Sequence, residues 1–221
     1  MKLSKKTLDI LKAFSSINTN LVIKPGSKIT TVTPGKTVYA EATVAETFDK
    51  GMGIYNLNEF LGVLGLFTDP ELEMSDKSVV IKEGKNKVTY VYADPSLLTP
   101  LPTKQIKLAS VEVEFTLTSA HLSQLLKMAQ VLGVEDLAFI GDGKKLIARV
   151  FDGKNPTGNQ FDIDLETTTA DNFSLEFKIS NIKLIPGDYS VEISKSRLSK
   201  FDNNDGVVTF VAVEATSTFE D

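Results

Sequence analysis

The sequence predicts an α+β protein in which one unit, helices set on one face of antiparallel sheets, is built twice. Three observations carry this. Alternating apolar and polar runs of strand length fill most of the 221 residues. Stretches at helical spacing interrupt them at corresponding places in each half, and a proline-rich segment separates the halves. The expected organisation is a domain over 1–93, a connector over 94–110 and a second domain over 111–221.

Ser4 is an expected N-cap, and Leu8, Ile10, Leu11, Phe14 and Ile17 then recur on one side, so a helix spans roughly 4–17. "NLVIKPGSKITTVTPGKTVYAEATVAE" gives three strands that turn at Pro25-Gly26 and Pro34-Gly35. "GMGIYNLNEFLGVLGLF" reads as a strand entering a helix, and "ELEMSD", "SVVIKEG" and "KVTYVYA" supply three more strands. That second helix is apolar nearly all round apart from Asn58, Gly62 and Gly65, which predicts packing on both sides. Ala93 to Ser110 holds three of the eight prolines and suits an extended connector. The pattern then restarts: strand "VEVEFTL", a helix from about Ser119 to Leu132, strands "DLAFIG", "KLIARVF", "NQFDIDLET" and "FSLEFKI", a short helix at "SNIKLI", and strands "DYSVEIS", "SRLSKF" and "VVTFVAVEA".

Aligning Ser4 with Ser119 puts Ile10 on Leu125, Leu11 on Leu126 and Lys12 on Lys127, so both long helices present their apolar stripe in one rotational phase. In the same way "IYNLNEF" matches "EFKISNI", with Tyr55 over Phe177, Leu57 over Ile179 and Phe60 over Ile182.

Composition narrows the function. The chain has no Cys, which excludes disulfides, thiolate nucleophiles and Cys-ligated zinc, and it carries no long apolar run for a signal peptide or membrane span. A net charge of -5 opposes bulk binding to DNA, yet leaves room for a local basic face. Such a face is visible on the helices. Lys5, Asp9, Lys12 and Ser16 lie opposite the apolar stripe of the first, and Lys127 lies with Ser123, Gln124 and Gln130 on the equivalent face of the other. Either face alone reads as an ordinary solvated surface; a lysine on both could line one shared surface, with Lys178 and Lys183 adding to it. Glu71, Glu73, Asp76, Glu112, Glu114, Asp162, Asp164 and Glu166 fall instead on or beside strands, which predicts charge segregated by element type. Scattered lysines attract phosphates without reading base edges.

No catalytic constellation is expected. His121 is the single histidine, in the first turn of a helix. "PGKT" at 34–37 lacks the Gly that a phosphate loop needs, because Thr30 stands there. "FDNNDG" at 201–206 has Val213 where a calcium loop needs Glu, and a hairpin turn is the expected structure. Asp162, Asp164 and Glu166 share a strand face with no pocket implied. No metal and no cofactor are expected, and the chain reads as a non-enzyme.

Along its whole length the sequence resembles the sliding clamps of T4-like bacteriophages, the processivity factors of phage DNA polymerases. The resemblance is carried by the opening "MKLSK", by "LLK" in the second long helix echoing "ILK" in the first, and by "YAEA" at 39–42. "IYNLNEFLGVLGL" at 54–66, "ADPS" at 93–96, "PGDY" at 186–189 and "VAVEATST" at 211–218 add to it, and collinearity makes the match specific. It implies the duplicated two-domain clamp fold, assembled head to tail as a homotrimeric ring, with helices lining the hole. Lys5, Lys12 and Lys127, with Lys178 and Lys183, would then face encircled double-stranded DNA. It also implies partners: the phage DNA polymerase, an ATP-driven clamp loader and late-transcription factors, in the cytoplasm of the infected host. Their peptides would dock under the connector, where the matching residues are Leu97, Leu98, Leu101, Val211, Val213 and Ala215; anchoring of the loop to its own domain is the other role open to its leucines. Family members carry a further basic residue soon after the position of Lys127; Met128, Ala129 and Gln130 stand here, which implies a weaker contribution from the second domain. The alternative reading is a structural ring component of a virion, which would need no lysines on its helices.

Overall fold

The computed structural model describes residues 1–155 and 157–220. The chain divides into two compact units, Met1–Gln105 with Gly206–Val208, and Ile106–Asp205 with the segment from Thr209 onward.

The first unit runs α1 (Lys5–Ile17), β1 (Leu21–Ile23), β2 (Gly26–Val32), β3 (Val38–Phe48), β4 (Met52–Ile54), α2 (Leu57–Leu64), β5 (Glu71–Met74), β6 (Ser78–Glu83) and β7 (Asn86–Val91). Its strands pair antiparallel in the orders β4-β1-β2-β3 and β5-β6-β7. The second runs β8 (Val113–Leu117), α3 (Ser119–Leu132), β9 (Asp136–Asp142), β10 (Lys145–Phe151), β11 (Phe161–Thr168), β12 (Asn172–Lys178), β13 (Tyr189–Ser194), β14 (Leu198–Asp202), β15 (Val207–Ala212) and β16 (Thr218–Phe219). Here the orders are β12-β9-β10-β11 and β13-β14-β15. Both units therefore use one topology. Even the strand that opens the second unit has a counterpart: β8 pairs with β13, while Met1 donates to and accepts from Leu72 of β5 at 2.8 and 2.7 Å.

In the first unit α1 packs on β2 and β3 and beside α2, burying Thr7, Ile10, Leu11, Phe14 and Ile17. The register pairs Ile29 with Ala42 and Thr31 with Ala40, which puts these four buried residues on one face. In the second unit α3 lies over β10 and β11 and buries Leu122, Leu125 and Ala129. A chain of ring contacts ties its two sheets together. Phe115 of β8 meets Phe139 of β9 at 4.7 Å, Phe139 meets Phe177 at 5.6 Å, and Phe177 meets Phe201 of β14 at 6.2 Å. Tilted and edge-on pairs of this kind contribute about 0.5–1.5 kcal/mol each beyond burial.

α3 runs over Ser119–Leu132 as expected, capped by Thr118, whose hydroxyl accepts from the His121 N–H. Burial agrees with the alignment of Ser4 on Ser119, since Thr7, Ile10 and Phe14 match Leu122, Leu125 and Ala129. Three expectations need correction. Tyr55 is exposed while Phe177 is buried, because the residue across from Leu21 is Ile54 and the residue across from Leu137 is Phe177. A slip of one residue on a pleated strand reverses the face. The expected short helix at "SNIKLI" is only a 3-10 turn at Ile179–Asn181. It has no side-chain cap and is rich in β-branched Ile, whereas α2 is capped by the Asn56 side chain accepting from the Glu59 N–H. Finally, α2 is not packed on both sides within the chain. It buries Leu57, Phe60 and Leu64, leaves Leu61 and Val63 part-exposed, and is followed by Leu66 at 81% exposure.

Candidate nucleic-acid interface

Lys5 and Lys6 occupy the first turn of α1, and that turn contains no acidic residue. Cations at a helix N-terminus oppose the backbone dipole and cost about 0.3–1 kcal/mol each. The compensation comes from β3. Glu46 accepts from the Ser4 N–H through one carboxylate oxygen, and from the Thr7 hydroxyl at 2.6 Å through the other. Burial pushes the Glu46 carboxyl up, but these hydrogen bonds outweigh it and hold the group below the usual carboxylate range. The Ser4 hydroxyl also accepts from the Thr7 N–H. A carboxylate from a strand thus fixes the end of the helix that carries two lysines. Sequence spacing alone did not point to it, because Glu46 is 39 residues from Thr7.

Lys5, Asp9, Lys12 and Ser16 are all exposed, on the face opposite the buried stripe, and Lys6, also exposed, stands at the edge of that stripe. Asp9 approaches Lys12 at 3.7 Å in an exposed i,i+3 pair, so its screening of that lysine is modest. Lys6 was overlooked in the sequence, although it lies beside Lys5. On α3 the expected face is present: Ser123, Gln124, Lys127 and Gln130 are exposed, and the helix stops at Gly133, which takes the left-handed φ of 66°.

Lys178 closes β12 and bonds Asp136, a buried carboxylate that also accepts from the Gly153 N–H at 2.9 Å. The hydrogen bond to Asp136 raises the lysine's pKa. Its charge is therefore engaged inside its own unit. Lys183 is part-exposed just past the 3-10 turn.

Charge segregation is less complete than expected. Glu71 and Glu73 meet Lys82, Asp76 meets Lys50, Asp162 holds Arg149 through two hydrogen bonds of 2.7 Å, and Asp164 meets Lys145. Basic side chains of the strands or their turns stand against these acids. Along α1, Lys5, Lys6 and Lys12 stand against one acidic residue of the helix, Asp9.

Of the residues matched to a partner pocket, Leu97 is 64% exposed, Leu101 is part-exposed and Ala215 is exposed. Leu98, Val211 and Val213 are buried. Leu98 anchors its loop: its Cδ1 lies 3.0 Å from where a Cβ on Gly53 would stand, and the Ala93 N–H donates to the Gly53 carbonyl at 2.9 Å. His121 is part-buried with an unpartnered Nδ1, and among the described residues no group of three or more His, Cys, Asp and Glu could hold a metal. The 201–206 segment closes the β14–β15 hairpin with Asn204 and Gly206 at positive φ. No helix among the described residues is long and apolar enough to cross a membrane.

Residues 2–99 match the family model described as DNA polymerase processivity factor. The chain is 30% identical over 229 residues to the sliding clamp of Enterobacteria phage T4 and 29% identical to that of Escherichia phage RB69, each alignment covering all of both chains. The sliding clamp of Vibrio phage KVP40 is 29% identical over 91% of this chain and 94% of the relative. Among solved structures, the A. fulgidus PCNA that was determined with the C-terminal region of FEN-1 superposes with a TM-score of 0.72 at 11% identity, covering 99% of this chain and 100% of that one. Proliferating Cellular Nuclear Antigen from Entamoeba histolytica gives 0.70 at 13% identity over 94% of each. These likenesses show a shared fold. At 30% identity over the full length of the phage T4 protein, the chain belongs to the sliding clamps of T4-like bacteriophages, the DNA polymerase processivity factors.

Proposed function

We propose that three copies close head to tail into a ring that encircles duplex DNA, with α1 and α3 toward the hole, and that the ring tethers the phage DNA polymerase for processive synthesis. The observation that carries this reading is α1. Lysines stand at the helix end where the backbone disfavours them, and a strand carboxylate offsets the cost, which makes sense where cations serve a polyanion outside the chain. Contacts of this kind are weak and sequence-independent, so closure of the ring, and not affinity, keeps the protein on its template.

Two sheet edges support ring closure. Within the units β7 and β11 each end a sheet. Val91 on β7 is 70% exposed, and α2, which meets β7 through the Phe60–Tyr90 contact at 5.2 Å, leads into exposed Leu66. Val131, 78% exposed, lies in the last turn of α3, the helix that covers β11. Edges of this kind pair when a partner is available. In a ring, β7 of one copy meets β11 of the next.

The domains are 1–93 and 111–221, joined by 94–110. Lys5, Lys12 and Lys127 face DNA, Lys183 contributes, and Lys178 contributes least because Asp136 holds it. Partner peptides use Leu97, Leu101 and Ala215, with the buried Leu98, Val211 and Val213 as the supporting wall; a structural relative solved with a FEN-1 C-terminal region lends this support. The clamp loader and late-transcription factors are further partners, the protein has no catalytic role, and it acts in the cytoplasm of the infected host. The test is solution mass by light scattering over a dilution series, followed by retention on circular and on linear plasmid. A trimer held on circles and lost from linear ends is the expected result. A monomer at every concentration, or clamp-dependent synthesis whose extent and salt response are unaffected by Lys5→Glu with Lys12→Glu, would sink the reading.

A further inference from the structure

In the first unit α1 and α2 lie side by side without filling the space between them. Leu8 and Lys12 are neighbours one turn apart on α1, as Leu61 and Leu64 are on α2. At the end of α2, Gly65 contributes no side chain, and the chain turns back on itself, the Leu66 and Phe67 N–H groups donating to the Val63 and Leu64 carbonyls, each at 3.2 Å. The Glu83 carboxylate then accepts from the Thr68 and Asp69 N–H groups at 3.3 and 2.6 Å and fixes the next stretch. A cleft of about 170 Å³ remains among these elements, walled by Leu3, Leu8, Leu61, Leu64, Phe67 and Leu72. An engineered apolar cavity of about 150 Å³ holds benzene, so a space of this size suits a single ring or a short branched chain. The two charged residues of the lining differ. Asp69 is already bonded by Lys2, whereas Lys12 has only an exposed contact of 3.7 Å with Asp9, which lies outside the lining. The open charge at this apolar cleft is therefore positive, and exposed Thr68 adds a hydroxyl beside it.

We propose that this cleft binds a small apolar carboxylate, an aryl or branched aliphatic acid. Its ring or branched chain would pack against the leucines and Phe67 while its carboxylate meets Lys12. Charge complementarity selects the acid over a neutral or cationic analogue of equal size, because the carboxylate already present is engaged and the ammonium is not. The cleft shares no residue with the connector or the partner pocket. Lys12 is one of the lysines assigned to DNA, so an occupied cleft engages a charge that the duplex would otherwise use; the binding itself does not rest on that assignment.

The probe is 4-methylbenzoate, with 4-methylbenzamide and 4-methylbenzylamine as the neutral and cationic comparisons, titrated by NMR into the full-length protein labelled at its leucine methyls. Saturable shifts are expected at Leu8, Leu61 and Leu64, with a dissociation constant of about 0.1–10 mM for an acid of this size. The amide is expected to bind about fivefold more weakly and the amine more weakly still. Lys12→Met keeps the apolar stem at an exposed site and should erase the preference for acid over amide, while Leu61→Phe should fill the cleft and abolish binding of both. The proposal is overturned by the absence of saturable shifts at these leucines, by shifts centred instead on Leu97, Leu98 and Leu101, by an amide or amine that binds as tightly as the acid, or by a preference that survives in Lys12→Met.

Discussion

Replacing Glu46 by Gln isolates the device that holds the basic end of α1. The carboxylate takes two hydrogen bonds, from the Ser4 N–H and the Thr7 hydroxyl, at a helix terminus whose first turn carries Lys5 and Lys6. A hydrogen bond to a charged group contributes about 1.5–3 kcal/mol, and an anion at a helix N-terminus about 0.3–1 kcal/mol. Gln keeps one neutral acceptor, so the net loss expected at neutral pH is about 1–2 kcal/mol, or about 2–8 °C in Tm for a chain of this length. The pH dependence follows from the direction of the shift. The folded pKa lies below the ordinary value of 4.5, so the parent's advantage is complete above that value and is lost as pH falls through the lower folded one. Thermal unfolding followed by circular dichroism from neutral to acid pH checks this, with Glu46→Gln and parent side by side. A gap that persists unchanged into acid would mean that shape, and not charge, supports the helix; no gap at neutral pH would refute the reasoning outright.

Three further outcomes are expected. Lys178→Met should destabilise by about 1–3 kcal/mol, since it removes the cation bonded to the buried Asp136 and leaves that carboxylate on the Gly153 N–H, and denaturant unfolding should record it while the salt dependence of DNA contact changes little. Gly141→Ala should cost about 1–3 kcal/mol by chemical denaturation, because a Cβ there would stand 2.6 Å from the Phe173 ring and 2.7 Å from the Asp171 carbonyl. Val91→Glu should change unfolding of the chain by under about 0.5 kcal/mol, as an exposed site allows, while light scattering shows dissociation at higher concentration than the parent.

What was legible in the sequence was what repeats locally. The apolar stripes of α1 and α3 recur every three or four residues, and the burial of Ile10 and Leu125, or of Phe14 and Ala129, follows from that period. Strand order was legible for the same reason, since turns at Pro25-Gly26 and Pro34-Gly35 punctuate period-two runs. Long-range choices were not. Tyr55 and Phe177 differ in face because cross-strand register, invisible in either strand alone, sets it. Glu46 and Asp136 are ordinary acids in the sequence. Only folding brings the first against Ser4 and Thr7 and the second against Lys178 and Gly153.

The two units solve one problem in parallel and then use the solution differently. Each long helix receives a carboxylate at its N-terminus from elsewhere in its unit: Glu46 at Ser4 and Thr7 for α1, and Asp188 accepting from the Ser119 N–H at 2.7 Å for α3. In α3 the first turn carries no lysine, so the carboxylate simply satisfies an open N–H and complements the dipole. In α1 the same arrangement also offsets two cations. A duplicated support therefore permits an unequal charge load, with three lysines on the exposed face and first turn of α1 against Lys127 on α3. If the helices line a ring, the potential around its hole alternates strong and weak from unit to unit. A polyanion then meets a few shallow electrostatic contacts in place of a continuous grip, which is the condition for sliding without arrest.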